Sequence, residues 1–291
     1  MIKISRQPLA SFTSPDLSEF FRWTRNCRQA GIDLFTQDLY EVRDMRTLLL
    51  FLILLSILVI TPCRGEELVR QQKQECVILL HGLMRTSSSM EHLAGELHKE
   101  GFIVINQGYP SRRHPIQELS GLAIERDLDE CRKAGAHRVH FVTHSLGGIL
   151  VRHYLSEHTI PELGRIVMLA PPNQGSPLSD VLEEYPELED ITGPAGFQLG
   201  TDGDSVPLML GPATYEVGII TGDATINPIV SAWLGVPNDG TVTVESARLE
   251  GMTDFLVVPH SHPYIMRSDY VIGQTIYFLY FGKFMKTVSE E

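Results

Sequence analysis

Six short apolar runs, at 76–80, 102–106, 138–143, 165–170, 216–221 and 255–258, read as strands. Longer stretches at 88–100, 116–134, 147–157 and 263–283 read as helices. Cys76-Val77-Ile78-Leu79-Leu80 has no polar position, the pattern of a strand buried on both faces of a sheet. Strands that alternate with helical stretches predict an α/β domain with a mostly parallel central sheet and helices on both faces. That domain spans 67–291. Within it, 176–213 breaks the alternation with prolines, glycines and apolar residues such as Phe197, Leu199, Val206, Leu208 and Leu210. This segment is read either as a small lid or as a surface excursion.

Ahead of the domain, 47–60 is uniformly apolar and uncharged, and has no amphipathic face. It is shorter than the roughly 20 residues of a standard spanning helix. Arg43 and Arg46 precede it, and Thr61-Pro62-Cys63-Arg64-Gly65 follows. A basic start, an apolar middle and a small-residue exit are the marks of a secretory signal. Residues 45–66 are therefore expected to be a signal peptide or a membrane anchor. Residues 1–44 form an N-terminal extension, untranslated if Met45 is the start. Each reading puts the domain outside the cytoplasm, with membrane contact through 47–60 if that segment is not cleaved.

Charge narrows the partners. The chain has 24 basic and 36 acidic residues. Residues 1–66 hold 8 and 7 of these, which leaves 16 and 29 for the domain, a net charge of −13. So acidic a domain argues against nucleic acid and against charge-driven docking on anionic lipid. The acidic cluster from Asp180 to Asp190 has no calcium-loop spacing. No zinc spacing, phosphate loop or internal repeat is found, and no cofactor or metal is expected. Cys76 and Cys131 are the two cysteines of the domain, and free buried thiols or a disulfide fit them equally.

The chemistry lies in Thr143-His144-Ser145-Leu146-Gly147. A serine between a strand-like run (Val139–Val142) and a helix-like run (Gly148–Leu155) is a nucleophile elbow. The helix N-terminus beneath it favours negative charge on an attacked carbonyl oxygen. The pattern is G-x-S-x-G with Thr143 in the first glycine position. Upstream, His81-Gly82-Leu83 follows the first strand. An acyl-transfer hydrolase needs two backbone N–H groups on the oxyanion; Leu146 and Leu83 are the candidates. His81 is read as fixing this loop. Downstream, an acid and then a histidine are required. Asp239, in the Asn238-Asp239-Gly240 turn, and Asp223, after the fifth strand, are the two acids. His262, ahead of a closing helix expected to start near Pro263, is the preferred base, with His260 beside it as a loop residue.

These residues resemble those of α/β-hydrolase-fold serine hydrolases of the bacterial lipase and esterase type. The matching pieces are Leu80–Leu83, Thr143–Gly148, Leu169-Ala-Pro-Pro-Asn-Gln-Gly-Ser176, Asn238–Gly240 and Ser261-His262, within 76–285. Thr143 departs from the usual glycine. The resemblance implies the acid in the Asn-Asp-Gly turn, about twenty residues before the histidine, which ranks Asp239 above Asp223. It further implies a Leu169–Ser176 loop that borders the active site. It makes the domain a serine esterase or lipase acting on small-molecule or lipid acyl esters. Acyl transfer or thioester cleavage by the same three residues is the alternative, as is a non-catalytic, membrane-tethered binding protein on the same fold.

Overall fold

A computed structural model describes residues 75–285, which fall within one compact unit, Leu68–Glu291. The extension at 1–44, the segment 45–66 and its apolar run 47–60 lie outside the described residues. Among the described residues, no helix is long and apolar enough to cross a membrane.

Six strands form one open sheet: β1 Glu75–Leu80, β2 Ile103–Ile105, β3 Arg138–His144, β4 Leu163–Leu169, β5 Val217–Gly222 and β6 Asp254–Val258. Their order is β2-β1-β3-β4-β5-β6, and every pair is parallel. The chain steps outward from β1 to β2, then returns to the other side of β1 with β3. Parallel sheets place ligand crevices at the carboxyl ends of strands where such a reversal occurs. Here that point lies between β1 and β3, where Leu80 pairs with Thr143.

Period-two alternation divides β1 between two cores. Cys76, Ile78 and Leu80 face one layer with Leu119, Ile124 and Leu128 of α2 (Ile116–Lys133) and Ile149 and Leu150 of α3 (Leu146–Glu157). Val77 and Leu79 face the other, with Leu93 and Leu97 of α1 (Glu91–Lys99) and Val271, Phe278 and Leu279 of the closing helix Asp269–Phe281. Residues 76–80 are therefore buried on both sides, as their uninterrupted apolar run requires. Cys76 and Cys131 meet in a disulfide that ties β1 to α2 across 55 residues.

The insert folds as short helical pieces: α4 Pro177–Glu183, a 3-10 turn Pro186–Leu188, α5 Glu189–Thr192, α6 Pro194–Phe197 and α7 Val206–Met209. Another short helix, α8 Pro228–Leu234, lies between β5 and the Asn238–Gly240 turn. The closing helix, α9, begins at Asp269, not near Pro263. A 3-10 turn at Ile265–Arg267 occupies the intervening chain, and the Ser268 hydroxyl caps α9 by accepting from the Val271 N–H. A side-chain cap of this kind fixes where a helix can start.

Candidate active site

Ser145 sits between the last residue of β3 and the first residue of α3, with φ 53° and ψ −121°. A residue with a Cβ avoids this region unless its surroundings impose it. Two backbone bonds impose it here. The Ser145 N–H donates to the Leu169 carbonyl at 2.9 Å, and the Gly148 N–H donates to the Ser145 carbonyl at 3.0 Å. Close packing does the rest: a Cβ on Gly147 would lie 2.6 Å from the Leu80 carbonyl oxygen. Thr143, in the first glycine position of the motif, is fully buried beside Gly148.

The loop after β1 lies on this turn. A Cβ on Gly82 would come within 2.7 Å of His144 Nδ1 and 3.1 Å of Ser145 Cβ. Glycine is needed there so that the loop can touch the turn itself. Leu83 follows, half-buried, and Leu146 opens α3, fully buried. The first N–H groups of a helix have no partner within it.

Asp239 and His262 are in direct contact. His262 Nδ1 lies 2.7 Å from Asp239 Oδ2, and the His262 N–H donates to the Asp239 carbonyl at 2.9 Å. The other carboxylate oxygen, Oδ1, accepts from the N–H groups of Thr241 (2.9 Å) and Val242 (2.7 Å). Both side chains are buried. Because the carboxylate can only accept, the ring proton sits on Nδ1, and Nε2 is left as a base. Asp223 is exposed on the loop after β5, and its N–H donates to the Val258 carbonyl at 3.1 Å. Of the two candidate acids, the structure brings Asp239 to the histidine. His260 binds the Ser268 hydroxyl through Nε2 at 2.8 Å, and burial lowers its pKa.

Three further residues, His144, Tyr109 and Arg152, make contacts that no sequence motif assigns. His144 Nε2 donates to the His262 carbonyl at 3.0 Å, and the two rings lie 4.7 Å apart. Burial, and then the neighbouring His262, holds His144 well below the ordinary imidazole pKa. Tyr109, in the loop after β2, stacks on His81. Arg152 of α3 is buried among carbonyls, and burial lowers its pKa to about 10. A histidine inside an apolar strand and an arginine inside an apolar helix were visible as oddities. Nothing in the sequence marked Tyr109.

A six-stranded parallel sheet, with a serine on a strained strand-to-helix turn and a carboxylate-bound histidine among its strand-end loops, defines a hydrolase of the α/β class. Comparison with known proteins agrees. The profile of the alpha/beta hydrolase family matches residues 77–269, and the chain belongs to that family. Its fold is similar to that of the lipase BlEst2 of Bacillus licheniformis in mature form, at 21% identity and TM-score 0.58, covering 71% of this chain and 92% of that one. It is also similar to the phospholipase PlaB of Legionella pneumophila in complex with thio-NAD, at 19% identity and TM-score 0.57, over 70% and 57%. The metagenomic carboxyl esterase MGS0156 matches at 16% identity and TM-score 0.54, over 66% of each chain. No curated protein matches the chain. Among the described residues, no three metal-ligating side chains could hold a metal ion.

Proposed function

We propose that this protein hydrolyses carboxylic esters through an acyl-enzyme on Ser145. The contact between His262 Nδ1 and Asp239 Oδ2 at 2.7 Å carries the reading. It leaves Nε2 as the one ring nitrogen able to take a proton from a hydroxyl. In the proposed cycle, His262 Nε2 removes the Ser145 proton as Oγ attacks the ester carbonyl. The N–H groups of Leu83 and Leu146 hold the oxyanion of the tetrahedral intermediate. His262 then protonates the leaving alcohol, which departs as the acyl-enzyme forms. Water repeats the sequence and releases the acid. Asp239 keeps the imidazole in the right tautomer and stabilises its charged form. A lipase and a carboxyl esterase among the proteins of like fold support an ester substrate.

Fluorophosphonate labelling of the purified protein tests the nucleophile without knowledge of the substrate. Labelling that Ser145→Ala abolishes, with esterase activity lost in parallel, is the expected result. A folded wild type that takes no label, or a Ser145→Ala variant that still turns over esters, contradicts it.

The domain is further proposed to work outside the cytoplasm. The Cys76–Cys131 disulfide supports this, since such bonds persist in oxidising compartments. The signal-like run at 47–60 points the same way. Cell fractionation of the expressed full chain tests it: recovery in the cytoplasm with both thiols free is the contrary result.

A further inference from the structure

The loop that carries Leu83 is held by a pair of stacked rings, one its own and one from the loop after β2. The ring centroids of His81 and Tyr109 are 4.1 Å apart, with planes inclined by 8°. Tyr109 comes from the loop after β2, on the far side of β1 from Ser145 in strand order. Both residues are buried. Three hydrogen bonds join them to the backbone. The Tyr109 hydroxyl donates to the His81 carbonyl. The Tyr109 N–H donates to His81 Nε2 at 3.4 Å. With Nε2 accepting, the His81 proton is on Nδ1, which donates to the Gly82 carbonyl at 2.9 Å.

That last carbonyl belongs to the same peptide as the Leu83 N–H. Every described peptide bond is trans. In a planar trans peptide the C=O and N–H point in opposite directions within one plane. Whatever holds the Gly82 carbonyl therefore aims the Leu83 N–H. The Arg85 N–H, donating to the same carbonyl at 3.2 Å, is the second holder. The preceding peptide, His81–Gly82, is held through its own carbonyl by the Tyr109 hydroxyl. Without such contacts, the peptides on either side of a glycine would rotate more freely than most. Met84, two residues on, has φ 57°, so this loop also contains a strained residue that its surroundings must hold in place.

We propose that Tyr109 and His81 are positioning residues, which together fix the direction of the Leu83 N–H toward the reacting carbonyl oxygen. This rests on the proposed function, in which Leu83 supplies one oxyanion donor. The arrangement acts on the transition state and leaves ester binding untouched.

The test is steady-state hydrolysis of a soluble p-nitrophenyl ester, with inhibition by a trifluoromethyl ketone, which forms a tetrahedral oxyanion on the serine. Tyr109→Phe keeps the ring stack and removes one hydroxyl. His81→Leu removes the donor to Gly82, and His81→Asn places an amide N–H close to where Nδ1 stands. Loss of an oxyanion donor costs about 10²–10³ in kcat, so misdirecting one should cost somewhat less, roughly tenfold to a hundredfold. Tyr109→Phe and His81→Leu are expected to lower kcat by that much, with KM within twofold and the ketone bound correspondingly more weakly. His81→Asn should recover much of the loss. Unchanged kcat in Tyr109→Phe overturns the proposal, as does a lower kcat with undiminished ketone affinity. If His81→Leu does not fold, Tyr109→Phe and His81→Asn still decide. A wild type without Ser145-dependent turnover would overturn the underlying reading, and this proposal with it. Normal wild-type turnover with indifferent variants overturns this proposal alone.

Discussion

Ser145 holds a backbone conformation that suits glycine better than serine. Its φ of 53° and ψ of −121° cost a residue with a Cβ on the order of 1–3 kcal/mol. Activity and stability should therefore part company at this position. Ser145→Gly is expected to unfold at a higher denaturant midpoint than Ser145→Ala, by about 1 kcal/mol, with both inactive. Equal midpoints would mean that the surroundings bear no strain. Asp239 differs, because its carboxylate is already saturated by Thr241, Val242 and His262. Asp239→Asn replaces one acceptor oxygen by a donor and forces a choice between the loop and the imidazole. Catalysis that depends on the tautomer loses on the order of 10⁴ in kcat from such a change. Ester turnover within tenfold of wild type would remove Asp239 from the mechanism. The sequence offered Asp223 as well, because an acidic residue after the fifth strand has the same local pattern. Which of two turn aspartates faces a histidine depends on where the last strand delivers that histidine.

Among the elements, α3 has two duties. Its N-terminus lies beneath Ser145, and about two turns further on Arg152 anchors the chain around the insert. Arg152 Nη1 donates to the carbonyl and side-chain oxygens of Asn173, at 3.0 and 3.1 Å. Nη2 donates to the carbonyls of Pro207 and Gly211, both at 2.9 Å. One guanidinium thus joins the loop after β4 to both ends of the turn that closes the insert. Arg152→Met would leave the buried oxygens of Asn173 and Pro207 without their donor. The expected loss is at least about 1–3 kcal/mol of unfolding free energy, the cost of leaving a buried acceptor unpaired. Urea unfolding measures it, and a loss under 1 kcal/mol would mean that the insert is held by other means. The disulfide between β1 and α2 is the second cross-element tie. Reduction, or replacement of both cysteines by alanine, should lower stability by about 2–4 kcal/mol, read as a lower thermal midpoint. The two cysteines could not be paired from spacing. They meet only because Cys76 points to the face of the sheet on which α2 lies.

Three histidines, His81 and His144 buried and His260 half-buried, shape the response of the whole molecule to pH. His81 and His260 are held below the ordinary value of 6.5 by burial, and His144 further below it by burial and His262. Below about pH 6.5 the unfolded chain binds protons that the folded domain refuses. Stability is then fully present above that pH and falls as the solution becomes more acidic. Glu75 acts in the same direction at lower pH. Burial pulls its carboxyl up, but the bond and the charge of His140 hold it below 4.5, so its contribution is lost on acidification. Unfolding free energies at pH 7.5 and 5.5 should differ by more than carboxylates alone produce. In His144→Gln the difference should shrink by up to roughly 1.4 kcal/mol per pH unit, the weight of one proton. An unchanged difference would show that His144 titrates normally in the fold.

The strands, the helices that alternate with them and the serine turn could be read from the chain because local sequence dictates them, whereas the order of strands in the sheet came from the structure. A strand buried on both faces must be apolar throughout, so the run at 76–80 in β1 stands out, and the six strands lie within two residues of the apolar runs. Gly147 and Ser145 mark a tight strand-to-helix turn by residue type alone. The closing helix starts later than helical spacing after Pro263 suggests, because a serine cap at Ser268 and the turn before it outweigh that spacing. Decisions between residues far apart in sequence needed the tertiary structure. It brought Asp239 to His262, closed Cys76 on Cys131, and laid Tyr109 over His81 and His144 against the His262 loop. Each of these contacts joins segments whose separation is fixed by how strands stack in the sheet, and no local pattern of apolar and polar positions encodes that distance.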